Sequence, residues 1–148
     1  MEQGETGYAD TIRAAREATG KDPGELAAAL DMSYESYRDI EWHDDEITSV
    51  VSYRDAVTLA NLIELDLRRM FRADDTALTF TDLAAPLRLR LDETPLEQLE
   101  NELGWELAGV LADPTTFAEF PLDGLADVAA PLGLDWRHLL PVARRTDE

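Results

Sequence analysis

The chain has 148 residues, 45% of them hydrophobic and 30% charged, which fits one ordinary folded domain or two very small ones and excludes global disorder. It has no cysteine, so disulfides and cysteine-based metal sites are excluded. Its formal net charge is -19, and a surface of that sign repels nucleic-acid phosphates and attracts basic partners.

The acidity belongs to the whole chain. Cut after Phe71, the two halves carry -9 and -10, so there is no acidic tail. Lys21 is the only lysine, and a lysine-poor, Asp/Glu-rich surface also suits simple solubility or a high-salt solvent. The first residues have neither a basic stretch nor an apolar run, and no apolar segment is long enough to cross a membrane. A cytoplasmic location is expected.

In chain order, Ile12, Ala15 and Thr19 recur near helical spacing and predict a first helix over 8–19. Asp22-Pro23-Gly24-Glu25 then has a capping residue, a proline at the first helical position and an acid three residues after the cap. The second helix it opens carries Leu26, Ala29 and Leu30 on one face. Ser33 caps a third helix, Tyr34 to about Trp42, with Tyr37 and Ile40 inward. A polar loop, HDDEITSVV, follows. Ser52 and Asp55 open a fourth helix lined by Ala56, Leu59, Ala60 and Ile63, and Leu65, Leu67, Met70 and Phe71 close the unit with a last helical turn.

The second half repeats the first in outline. Leu99, Leu103 and Trp105 follow Leu26, Leu30 and Met32 at an offset of about 73. LDWRHLL at 134–140 echoes LDLRRMF at 65–71 at about 69, as a shorter loop before the fourth helix requires. Thr94-Pro95-Leu96-Glu97 repeats helix-start chemistry, and Leu122, Leu125, Val128, Ala129 and Leu132 supply a further amphipathic helix. Trp105 and Trp136, at positions equivalent to Met32 and Leu67, are expected in the core. Phe117 and Phe120 either cover that core or form an exposed patch. Pro86 and Pro131 make the second copy less regular.

Ile12 through Glu17, Glu25-Leu26-Ala27 with Leu30, the cap at Ser33, Ile40-Glu41, and Leu65-Asp66-Leu67 with Met70-Phe71 form an ordered set. In that set, residues 8–71 resemble a lambda-repressor-like (Xre/Cro-type) helix-turn-helix domain, and 80–140 resembles it weakly. The resemblance implies an all-α fold of two tandem five-helix lambda-repressor-like helix-turn-helix units, the second degenerate. The expected organisation is a flexible N-terminus at 1–7, the first unit at 8–71, a linker at 72–79, the second unit at 80–142 and a flexible tail at 143–148. A monomeric pseudo-dimer and a homodimer are both open.

By the same resemblance the third helix enters the major groove of DNA, with Ser33, Tyr34, Glu35, Ser36 and Arg38 as its DNA-binding set. The charge there argues against DNA. Between Ser33 and Ile47 stand Glu35, Asp39, Glu41, Asp44, Asp45 and Glu46 against Arg38 alone, a local balance of -5. The second helix, where the family meets a phosphate, begins with an anion and a proline that has no N–H to donate. The expected partner is therefore a basic protein, a toxin or a nucleic-acid-binding protein, held by Tyr34, Glu35, Asp39, Trp42, His43, Asp44, Asp45 and Glu46. Exposed aromatics supply the anchors and the acids supply steering. The alternative packs Trp42 beneath the following loop and leaves the acids as a solvated face. The function this implies is that of an immunity protein, an antitoxin or a DNA mimic, with a transcriptional regulator as the other reading. His43 and His138 stand in different halves without metal or nucleophile spacing, so no enzyme, metal or cofactor is expected.

Overall fold

The computed structural model describes residues 7–141. Of the segments expected to be flexible, 1–7 and 143–148, all but Gly7 lie outside the described residues. The all-α expectation holds: the described residues form helices and turns, and their one pairing of extended backbone is an isolated bridge between Ser52 and Pro121. No helix among them is long and apolar enough to cross a membrane.

The first half runs α1 (Tyr8–Thr19), α2 (Pro23–Ala29), α3 (Tyr34–Trp42), α4 (Glu46–Ser49), α5 (Tyr53–Leu62) and α6 (Leu67–Met70). Local chemistry accounts for the starts. The Asp22 carboxylate accepts from the Gly24 N–H at 2.9 Å while the Glu25 carboxylate accepts from the Asp22 N–H at 3.0 Å, so the capping box forms. Ser33 and Ser52 cap α3 and α5 by accepting from the N–H groups of Ser36 and Asp55. Ile12, Leu26, Leu30, Tyr37, Ile40, Ala56, Leu59, Ala60, Ile63, Leu67 and Phe71 are buried, each large aliphatic side chain contributing about 1.5–3 kcal/mol.

Three local expectations change. The segment read as a polar loop contains α4, whose Ile47, with Val51 just after it, is buried beneath neighbouring helices. On α2 it is Ala27 that is buried and Ala29 that faces solvent. Trp105 and Trp136 are half-buried at the edge of the core rather than inside it.

The second half runs α7 (Phe80–Arg90), α8 (Leu96–Leu103), α9 (Ala108–Ala112), a 3-10 turn at Pro114–Glu119, α10 (Leu122–Ala129), and further 3-10 turns at Ala130–Leu132 and Trp136–Leu139. Phe117 is fully buried and Phe120 half-buried, its ring stacked 4.8 Å from that of Trp105. Trp105 can lie across α10 only because Gly124 stands there: a Cβ at that position would come within 2.7 Å of the indole.

The halves meet through contacts that recur in reverse. Arg68 donates through Nε to the Leu140 carbonyl and through Nη2 to that of His138, both at 2.8 Å. Arg137, about 69 residues further on, donates through Nη1 to the carbonyl of Phe71 at 3.1 Å, and Phe71 precedes Leu140 by the same interval. Ser52 and Pro121, which bridge each other, are separated by it too. Likewise α4 packs on α10 while the 3-10 turn at Pro114–Glu119 packs on α5. Two pairs of left-handed backbone positions match as well. Asp31 and Glu64, both at φ 57°, precede Gly104 (81°) and Gly133 (76°) by about 73 and 69 residues.

Candidate functional site

α3 is docked by its inner face. Tyr37, Ile40 and Glu41, at helical spacing, turn toward α1 and α2. Glu41 is only 3% exposed and is gripped by Arg16 of α1, whose Nε and Nη2 donate to its two carboxylate oxygens at 2.6 and 3.1 Å. Above all, the hydrogen bond to Glu41 raises the Arg16 pKa beyond its usual range. The Tyr37 hydroxyl lies buried without a hydrogen-bond partner among the described residues; burial first, and then Glu41, push its ionisation well above the usual tyrosine range.

Glu41 therefore leaves the exposed acidic set. The local balance read from the sequence counts a carboxylate that Arg16 neutralises inside the fold. The remaining acids still outnumber the one cation on that stretch, Arg38.

The outer face of α3 carries two adjacent ridges of the i, i+4 kind: Tyr34, Arg38 and Trp42 on one, Glu35, Asp39 and His43 on the other. Together they line a shallow groove of about 410 Å3. Trp42 is 58% exposed and Tyr34 50%, so Trp42 does not pack beneath the following loop. Arg13 of α1 lies over the indole, its guanidinium carbon 4.7 Å from the ring centroid, and Arg38 lies 5.8 Å from the Tyr34 ring. Arg13 is itself fixed: Nη1 donates to the Glu41 carbonyl at 2.7 Å, and Nη2 pairs with Asp10. The indole is thus exposed yet held.

The structure brings Tyr34, Glu35, Asp39, Trp42 and His43 together around one groove, which Asp44, Asp45 and Glu46 do not line. Asp44 turns toward α1 and accepts from the Ala9 N–H at 3.0 Å, capping a helix whose own cap residue, Gly7, has no side chain. Asp45 is the exposed residue preceding α4. Glu46 is half-buried; its pKa is raised by burial and then by Asp39 and Asp45. Of the DNA-reading set, Ser33, Tyr34, Glu35, Ser36 and Arg38 are all exposed, but the two serine hydroxyls bond each other at 3.0 Å while the Ser33 oxygen caps the helix.

Several other cations are occupied elsewhere. Arg54 pairs with Glu119, Arg90 with Glu102 and Arg137 with Asp135, and Arg68 is buried among carbonyls. The α2 N-terminus has its exposed donors met by its own carboxylates. In the second half, α9 falls about 73 residues after 35–39 of α3. It spans only Ala108–Ala112 and exposes Ala108, Gly109 and Ala112, without a charged or aromatic side chain. His43 faces Asp39 at 3.9 Å and His138 faces Asp74 at 2.9 Å, and no cluster of three or more metal-ligating side chains occurs among the described residues.

Sequence reasoning found the exposed aromatics and missed Arg13. The available signal was its position three residues before Arg16 on a helix whose Ile12 is buried, which puts it on the shoulder of the face that meets α3. Compared with known protein families, curated proteins and solved structures, the chain matches none.

Proposed function

We propose that the chain is two tandem lambda-repressor-like helix-turn-helix units, the second degenerate, folded against each other as a pseudo-dimer. We infer further that it acts by gripping a basic, nucleic-acid-handling protein, as an immunity protein, an antitoxin or a DNA-mimic inhibitor does. The pseudo-dimer reading is supported by the reciprocal Arg68 and Arg137 contacts, the Ser52–Pro121 bridge and the matching left-handed positions. Such contacts are what a two-fold, isologous interface makes.

One observation carries the binding reading. Where the resembling family sets base-reading side chains, this chain holds Trp42 and Tyr34 out to solvent beside Glu35 and Asp39. Exposed aromatics flanked by carboxylates favour a desolvated contact with a cationic protein. The same acids would meet DNA phosphates with repulsion where counterion release is needed.

The alternative, a sequence-specific DNA-binding regulator, is favoured by the exposure of Ser36 and Arg38 on the outer face of α3. An affinity pull-down from the source cell's lysate, with and without nuclease, separates the two. Recovery of one basic protein, indifferent to nuclease and lost on Glu35→Lys with Asp39→Lys, supports the proposal. Recovery of defined DNA, lost on Arg38→Ala, replaces it with the regulator. Asp44 is left unchanged in these variants because it caps α1.

A further inference from the structure

Resting on the reading of α3 as a protein-docking face, we propose that the groove takes an arginine side chain of the partner. Its guanidinium lies on the open face of Trp42, with its N–H groups directed to Asp39.

The chain already shows this chemistry twice. Arg13 lies over Trp42 and Arg38 over Tyr34, so both exposed rings accept a guanidinium on one side. Arg13 is held by Asp10 and by the Glu41 carbonyl, and Glu41 is in turn held by Arg16. That series of contacts fixes the inner face of the indole and leaves the ring more than half exposed, so an incoming group meets a surface that has already lost its freedom. Arg13 is a positioning residue here; it does not itself meet the partner.

The groove also explains why arginine fits better than lysine. A planar guanidinium stacks on a ring and still directs its N–H groups outward in its own plane. Asp39 stands one helical turn from both Glu35 and His43, on the ridge beside Trp42, and its carboxylate is 55% exposed, so it is accessible to such donors. An ammonium group can satisfy the carboxylates or sit over the ring, and gains less from the two together. The charge of -19 draws a cationic segment toward the molecule, while the aromatic ridge selects where it seats and which cation it prefers.

The test uses the full chain and two fluorescent probes, a short arginine-rich peptide and its lysine counterpart of equal length and spacing. Anisotropy at physiological ionic strength gives the affinities, and the Trp42 indole N–H resonance, assigned with Trp42→Phe, reports the site. The expected result is a preference for the arginine peptide, a shift of that resonance, and a loss of about tenfold in affinity on Trp42→Ala. Asp39→Asn lowers affinity for both peptides, whereas Asp92→Asn with Glu93→Gln, which removes two charges between α7 and α8, has little effect. Circular dichroism confirms that each variant remains folded. Equal affinity for both peptides with no effect of Trp42→Ala overturns the proposal. If binding then still depends on Glu35 and Asp39, the docking face survives and only the arginine preference falls. If it follows net charge wherever the carboxylates are removed, the docking face fails as well.

Discussion

Replacing Arg68 with Ala removes a side chain that is 8% exposed and that satisfies four carbonyl groups. Two of them, on Asp74 and Thr76, lie in an exposed segment where water can take over. The other two, on His138 and Leu140, belong to the seam between the halves, and Leu140 is buried. A hydrogen bond from a charged donor contributes about 1.5–3 kcal/mol, so losing the seam pair is expected to cost about 3–6 kcal/mol. For a chain of this size, that lowers the melting temperature by roughly 8–18 °C.

Urea unfolding followed by circular dichroism measures the loss directly, with the denaturant slope confirming that the transition stays two-state. Arg68→Lys keeps the charge but not the fork of donors and is expected to fall between the two. Arg137→Ala serves as an internal control. It removes the reciprocal contact, but its side chain is 37% exposed and already paired with Asp135, so less than about 1 kcal/mol is expected after solvent screening. A loss below about 1 kcal/mol for Arg68→Ala, or an equal loss for Arg137→Ala, refutes the assignment of Arg68 as the principal polar tie between the halves.

Three other perturbations follow from local geometry. Glu41→Gln leaves the Arg16 guanidinium without its countercharge in a largely buried site, and a cost of about 3 kcal/mol is expected in the same unfolding assay; the double variant Arg16→Met with Glu41→Leu is expected to recover most of it. Glu64→Gly relieves a left-handed backbone at the position matching Gly133, and a gain of about 0.5–1 kcal/mol is expected where Glu64→Ala gives none. Arg137 holds the Asp135 carboxyl down at about 2, below its ordinary range near 3.8. A depressed carboxylate contributes stability above its unfolded pKa and loses it as pH falls through the folded one, so an Asp135→Asn variant should differ from the parent at neutral pH and converge with it between about pH 4 and 2.

Legibility in the sequence divides along contact range. The caps at Asp22, Ser33 and Ser52 and the inward faces of α1, α3 and α5 are local, and a residue's own neighbours announce them. α4 was hidden because four residues are too few to show a helical period, although Ile47 and Val51 stood out as apolar positions in a polar run. The pairing of Glu41 with Arg16, the reach of Asp44 to Ala9 and the seam arginines depend on contacts between residues far apart in the chain. No local pattern specifies those. Their charges were visible; the partners that cancel them were not. In a chain so rich in acids, a count along the sequence therefore overstates the field at any one face.

That distinction bears on function. If net charge alone governed binding, the α9 side of the molecule would serve as well as the α3 side, since the two halves carry almost equal charge. The halves differ instead in what their third helices present: α3 has nine residues with two exposed aromatics, and α9 has five with small ones. A two-fold symmetric partner, or a palindromic nucleic acid, needs the same surface twice, and the chain presents the α3 surface once. On the proposed reading of α3 as the docking face, the arrangement suits one partner per chain, with the second half packing on α4 and α5 behind that face.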